Sequence, residues 1–249
     1  RVTHRFCAEI DRACLQLERV TSGPANPAFR EPWLRADQHV AAVYREHLKQ
    51  SQTLTEPGVA YAISRWLPNS HGLVLGASMP VRDMNQFAAA NPHRIHVAAN
   101  RGASGIDGTL ATATGFARGL HQPVTVVLGD LACLHDLNSL ALLSRERDPV
   151  IVIVINNKGG GIFHFLPLSD GSKEFETFWG TPHHWEFQHA ADQFHLPYAK
   201  PRTMEEFIDT YRDALEQGHS CLIEVETDRN RNVEHHLAMA ELLRESRSA

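Results

Sequence analysis

The chain has 249 residues, 43% of them hydrophobic and 21% charged, and its 24 Lys and Arg against 29 Asp and Glu leave a formal net charge of −5. This is the composition of a globular chain long enough to bury a core, and it excludes a global basic field for holding nucleic acid or an anionic membrane. No run approaches the roughly 18 to 20 apolar residues of a membrane helix, and the charged start has no secretory pattern, so the expectation is a cytoplasmic protein without a membrane span.

Phe6, Ile10, Cys14 and Leu17 recur at helical spacing, and the chain starts without Met in the middle of this pattern. Residues 1–54 are therefore expected to be two helices around a Pro- and Gly-rich loop at 22–32, the remnant of a preceding domain and its linker. Thr55, followed by Glu56 and Pro57, opens a helix that runs to Pro68 and begins a second domain, 55–249. Short apolar runs at 73–76, 95–98, 124–129, 150–155 and 221–225 then read as strands. Helical patterns fill 83–90, 106–120, 137–145, 185–194, 204–216 and 233–244. VTVVL and VIVIVI are almost continuously apolar and β-branched, as expected of strands covered by helices on both faces. The expected fold class is α/β, a doubly wound, mainly parallel sheet with helices on both faces.

Cys7, Cys14, Cys133 and Cys221 form no CxxC pair and read as ordinary buried thiols of a reducing compartment. Among the 16 histidines, His183 with His184 and His235 with His236 are adjacent pairs whose side chains diverge, and no HExxH is present. They read as surface or capping histidines rather than metal ligands.

In an open parallel sheet, ligands bind beyond the carboxyl ends of the strands. Four segments sit there: GASMPVRD, NRGASGIDG, GDL and NNKGGGIF. Asp130 and Asn157, 27 positions apart, end two strands that would bring both tips to one crevice. A carboxylate, an amide oxygen and a nearby carbonyl are hard oxygen donors suited to Mg²⁺ on a substrate diphosphate. The backbone amides of Gly159, Gly160 and Gly161, with the helix start near Leu131, are expected to complete a phosphate cradle without lysine. Either half alone is as compatible with an ordinary turn. There is no GxxxxGK[ST] and no GxGxxG, so the P-loop and Rossmann readings lose most of their support.

The pair GD…NN resembles the diphosphate-binding signature of thiamine diphosphate enzymes. Together with SMPVRD (78–83), NRGASGIDG (100–108), GDLACLHDLNSLAL (129–142) and NNKGGGIFHFLP (156–167), it resembles the C-terminal part of the 2-succinyl-5-enolpyruvyl-6-hydroxy-3-cyclohexene-1-carboxylate synthase family of menaquinone biosynthesis. The resemblance implies a diphosphate-binding domain over 55–249 and thiamine diphosphate with Mg²⁺ or Mn²⁺ as cofactors. It further implies that Asp130, Asn157 and the Gly159 carbonyl hold the metal, that Gly129, Leu131, Gly160 and Gly161 line the cofactor, and that Ile106 lies beneath it. That family decarboxylates 2-oxoglutarate and adds the resulting succinyl semialdehyde carbanion to isochorismate. Ser78, Arg82 and Arg101 match its substrate positions, where guanidinium groups suit two carboxylate substrates. Ile162, Phe163 and Leu166 match its apolar wall, which excludes water. Cys133 and His135 read as fillers beside the site. The family also requires a glutamate in a pyrimidine-binding domain, usually from a second subunit, which these residues do not contain. The resemblance thus implies half an active site, inactive alone, and a homo-oligomer when intact. Competing readings are a noncatalytic binding module and a sister enzyme such as acetolactate synthase, which shares GD…NN but leaves SMPVRD and NRGASGIDG unexplained.

Overall fold

The computed structural model describes residues 5, 7–20, 26–50, 52–100, 105–171 and 173–245. They form two compact units, 1–41 and 42–249. The first unit contains helix α1 (Ile10–Val20) and the start of α2 (Pro27–Gln50). The loop expected at 22–32 is shorter than its Pro content indicated, because α2 begins at Pro27 and carries Pro32 inside it. A proline there removes one N–H from the ladder, a cost the long helix absorbs. Phe6 lies outside the described residues.

The second unit is a six-stranded sheet in the order β2-β1-β3-β4-β6-β5, with every strand pair parallel. Its strands are β1 (Gly72–Leu75), β2 (His96–Ala99), β3 (Val124–Gly129), β4 (Val150–Asn156), β5 (Tyr198–Ala199) and β6 (Cys221–Glu226). The connecting helices are α3 (Glu56–Trp66), α4 (Met79–Phe87), α5 (Thr109–Leu120), α6 (Asp130–His135), α7 (Leu140–Leu143), α8 (Gln188–Gln193), α9 (Met204–Gln217) and α10 (Arg229–Glu245). All seven residues of β4 are buried, as its unbroken apolar run required. The pleat sends Val126, Leu128, Val152 and Val154 into one core with Leu110, Ala113, Leu140 and Phe187. The opposite face carries Thr125, which meets the Tyr211 hydroxyl of α9 at 3.0 Å.

Several helix bounds moved, each for a tertiary or capping reason. Thr55 caps α3 as expected, its hydroxyl accepting from Gly58 N–H at 3.1 Å. The helix expected at 106–120 starts at Thr109: Gly108 adopts φ +72°, and Asp136 Oδ2 accepts from Leu110 N–H (2.6 Å) and Ala111 N–H (3.2 Å). That use of Asp136 also breaks the helix expected at 137–145 into a 3₁₀ turn (Leu137–Ser139) and α7. The helix expected at 233–244 begins four residues earlier, at Arg229, where Asp228 Oδ1 accepts from Arg231 N–H at 2.9 Å. Of the thiols, Cys133 and Cys221 are buried, and burial pushes Cys221 up to about 12. Cys7 and Cys14 are exposed, contrary to the expectation of burial, because α1 buries none of its residues in its own unit.

His71, immediately before β1, is 3% exposed, and its Nε2 lies 3.0 Å from Thr125 Oγ1. Burial holds its pKa down at about 4 rather than the usual 6.5. The folded state therefore binds fewer protons than the unfolded chain between these values. The stability that His71 permits is whole above pH 6.5 and falls by about 3 kcal/mol as pH drops to 4. His71→Leu is expected to flatten this acid limb in denaturant unfolding measured from pH 7 to 4. A limb of unchanged slope would refute it.

Candidate active site at the carboxyl ends of the strands

The strand order reverses between β1 and β3, and the tips of β1, β3 and β4 are neighbours there. Gly129 pairs with Ile155, so Asp130 and Asn157 follow directly on adjacent parallel tips, as the sequence indicated. Asp130 is 1% exposed. Its Oδ1 accepts from Leu131 N–H at 2.6 Å and its Oδ2 from Gly159 N–H at 2.9 Å, which ties the β3 tip to the glycine loop. Burial pushes the Asp130 carboxyl up, against the two backbone N–H groups and His183, which pull it down.

Asn157 is buried beside it, and its Oδ1 has no hydrogen-bond partner although it is shielded from solvent. A buried acceptor left alone costs about 1–3 kcal/mol unless something absent from the protein satisfies it. A hard cation does this, and Asp130, Asn157 Oδ1 and the Gly159 carbonyl are the oxygen donors it takes. The residues present therefore fit Mg²⁺ or Mn²⁺. The glycine loop is tightly built. Gly159 has φ +146°, a Cβ at Gly160 would lie 2.6 Å from the Trp179 carbonyl, and one at Gly161 would lie 2.6 Å from Asn157 Nδ2. The expected phosphate cradle differs from this arrangement. Leu131 and Gly159 N–H both go to Asp130, Gly160 N–H goes to the Gly180 carbonyl at 2.7 Å, and Gly161 N–H goes to the Gly159 carbonyl at 3.0 Å. These amides satisfy the loop itself, because a sharp turn must pair its own backbone first.

Ser78 follows β1 with φ +73°, a strained conformation for a residue with a Cβ. It precedes α4, which starts at Met79 rather than 83 because Pro80 suits a first turn. Arg82, exposed on α4, donates from Nη1 to the Ser78 carbonyl at 2.6 Å. Arg101 lies outside the described residues. Ile106 is on the loop before α5, 36% exposed. Ile162 and Phe163 are half-buried in a 3₁₀ turn (Gly161–Phe165), Phe163 against Trp179 with ring centroids 5.5 Å apart, and Leu166 is 46% exposed just after it. Cys133 is buried and His135 exposed.

Three buried polar groups were not legible in the sequence. His183 is not a surface histidine: it is 5% exposed, with Nε2 3.2 Å from Asp130 Oδ2. Trp185 N–H donates to its Nδ1 at 3.3 Å. His236 is likewise packed inside, 2.9 Å from Asp83. Glu56, on the first turn of α3, accepts at Oε1 from Asn157 Nδ2 and from Thr227 Oγ1, both at 3.0 Å. Burial, with Asp83 adding repulsion, pushes the Glu56 carboxyl up to about 8. Nothing local marks it, since 101 residues separate it from Asn157. A cavity of about 480 Å³ lined by Thr55, Glu56, Arg202, Thr227, Arg231 and Asn232, among others, contains none of the other site residues.

Residues 76–225 match the family profile described as thiamine pyrophosphate enzyme, C-terminal TPP binding domain. The chain belongs to that family. Curated relatives include the 2-succinyl-5-enolpyruvyl-6-hydroxy-3-cyclohexene-1-carboxylate synthases of Rubrobacter xylanophilus and Salinibacter ruber. The first is 48% identical over 97% of this chain and 41% of its own length, the second 47% identical over 95% and 40%. The chain thus spans about two-fifths of the relatives it matches. A benzoylformate decarboxylase from Polynucleobacter necessarius aligns with TM-score 0.58 at 19% identity, over 70% of this chain and 33% of that one, which shows a shared fold. The doubly wound sheet is therefore that of a thiamine pyrophosphate-binding domain, and the helices described are neither long nor apolar enough to cross a membrane.

Proposed function

We propose that this chain carries the diphosphate half of the active site of a cytoplasmic synthase that condenses 2-oxoglutarate, after its decarboxylation, with isochorismate. The product would be the 2-succinyl-5-enolpyruvyl-6-hydroxy-3-cyclohexene-1-carboxylate of its relatives' name. The observation that carries the reading is the junction of the β3 and β4 tips, where buried Asp130 is bonded to Gly159 beside the unpartnered Asn157 Oδ1. In this reading Asp130, Asn157 Oδ1 and the Gly159 carbonyl hold Mg²⁺ or Mn²⁺ against the cofactor diphosphate. Gly129, Leu131, Gly160 and Gly161 shape the surface on which the diphosphate rests. Thiamine diphosphate, when bound, supplies the electron sink for decarboxylation.

The other assignments concern what the chain does around that centre. Ile106 supports the cofactor from below. Ile162, Phe163 and Leu166 would form an apolar wall that keeps water from the reaction centre. Ser78, Arg82 and Arg101 bind the substrate carboxylates, with Arg82 already oriented by the Ser78 carbonyl. The glutamate that activates the cofactor comes from a pyrimidine-binding domain, contributed across the interface of a homo-oligomer. Residues 1–54 belong to the domain before, and 55–249 form the diphosphate domain. Support comes from the identity to the synthases and from the SMPVRD, GDL and NNKGGGIF segments, which follow the neighbouring strands β1, β3 and β4.

Titration calorimetry of the intact protein with thiamine diphosphate, with and without Mg²⁺, tests the site, and turnover of 2-oxoglutarate with isochorismate tests the reaction. Mg²⁺-dependent binding with turnover is the expected result, and the isolated 249-residue chain is expected to be inactive. Binding indifferent to Mg²⁺ would overturn the metal assignment. Binding without turnover would favour a noncatalytic module.

A further inference from the structure

We infer that Glu56 is a positioning residue for the metal site: its carboxyl locks the Asn157 side chain in the one orientation that turns the amide oxygen toward the cation. The inference rests on the metal assignment above and deepens it.

An asparagine amide offers an oxygen on one side and an NH₂ on the other, and only the oxygen can ligate Mg²⁺. Rotating the amide by half a turn would present donors to the cation and abolish the ligand, so the orientation has to be imposed. Glu56 imposes it because Oε1 acts as an acceptor toward both of its neighbours. It takes a hydrogen from Asn157 Nδ2 and another from Thr227 Oγ1, each at 3.0 Å. An amide oxygen facing Oε1 instead would set two acceptors against each other in a buried site. Asn157 Oδ1 is consequently the atom left over, buried and without a donor. Gly161 leaves the room this orientation needs, since a Cβ there would lie 2.6 Å from Asn157 Nδ2. Glu56 is itself held in place: it sits in the first turn of α3 behind the Thr55 cap, receives the Thr227 hydroxyl from the segment after β6, and is 3% exposed. Three distant pieces of chain, the start of α3, the tip of β4 and the segment after β6, thus meet at one carboxyl oxygen.

The test is Mn²⁺ affinity in the intact protein, read as free Mn²⁺ by electron paramagnetic resonance at saturating thiamine diphosphate. The proteins compared are wild type, Glu56→Leu, Glu56→Gln and Asp130→Ala. Glu56→Leu is expected to raise the Mn²⁺ Kd about tenfold to a hundredfold, the range lost when an outer partner of a ligand is removed. Glu56→Gln keeps an acceptor oxygen for Asn157 and is expected to stay within about threefold of wild type. A Glu56→Leu protein with wild-type Kd would overturn the inference, even if it melted at a lower temperature. Glu56→Gln as weak as Glu56→Leu would overturn it too, because charge rather than amide orientation would then be the cause. Wild type and Asp130→Ala with the same Mn²⁺ Kd would instead fail the metal assignment itself, which keeps the two failures distinct.

Discussion

Asp130→Ala is expected to abolish Mg²⁺-dependent binding of thiamine diphosphate, with metal affinity falling about a hundredfold or more. Outer partners of metal ligands are already worth tens-fold, and Asp130 is the only charged member of the proposed donor set. Its burial, 1% exposed, strengthens the effect, because little water can enter to replace the lost oxygens. The substitution also frees the N–H groups of Leu131 and Gly159, which held the β3 tip to the glycine loop at 2.6 and 2.9 Å. Each unpaired donor costs about 1–3 kcal/mol, so the loop loosens as well. Asp130→Asn separates these contributions: one side-chain oxygen remains to accept, while the charge is gone. Calorimetric titration across Mg²⁺ concentrations, with circular dichroism to confirm the fold, reads the result. A folded Asp130→Ala protein whose cofactor affinity still rises with Mg²⁺ as in wild type would show that the cation is held elsewhere.

The second large effect is structural and lies one layer behind the site. Glu224 is wholly buried in β6, and three donors from three segments converge on it: Asn156 Nδ2 at 2.7 Å, Phe187 N–H at 2.8 Å and the Tyr198 hydroxyl at 2.8 Å. Burial pushes the Tyr198 phenol up, and the contact with Glu224 adds to this, because an anionic oxygen there would be repelled. Glu224→Ala leaves all three donors facing a void and is expected to destabilise by about 3–5 kcal/mol in denaturant unfolding. Glu224→Gln keeps the volume and one acceptor but turns an NH₂ toward a donor, for an expected loss of about 1–3 kcal/mol. A loss below about 1 kcal/mol for Glu224→Ala would contradict a network role. The consequence for the site runs through Asn156. Its amide also donates to the Trp185 carbonyl at 3.0 Å and accepts from Lys158 N–H at 3.2 Å, so Glu224 fixes the start of the glycine loop and its approach to the 183–187 segment.

Much of this architecture could be read from local pattern. VTVVL is apolar but for Thr125 and VIVIVI is apolar throughout, as strands covered on both faces are, and β3 and β4 are those strands. Thr55 before Glu56 and Pro57 signalled a helix start through hydrogen-bond chemistry that needs no distant partner, and α3 begins there. GD and NN at the ends of two such strands placed Asp130 and Asn157 at adjacent tips, because parallel neighbours with matched register end together. The misplaced bounds have local and distant causes. Pro80 and Asp228 start α4 and α10 early from within a few residues, whereas Asp136 reaches from the end of α6 to cap α5, 26 residues back. A capping partner from elsewhere leaves no trace in the periodicity around the helix it caps.

Local pattern was enough for five of the six strands, most of the covering helices and the oxygen donors at the strand ends, since apolar period, β-branching and turn chemistry act over a few residues; the two-residue β5 (Tyr198–Ala199) is too short to leave such a pattern. Which way the donors face is set by long-range contacts, which only the tertiary structure makes. Glu56 reaches Asn157 from 101 positions away, His183 comes within 3.2 Å of Asp130 and the Glu224 network gathers β4, β5, β6 and a loop. Such pairings exist only after the chain has closed. Burial then removes water as the alternative partner, so the free energy of each polar group depends on the one neighbour that folding has brought to it.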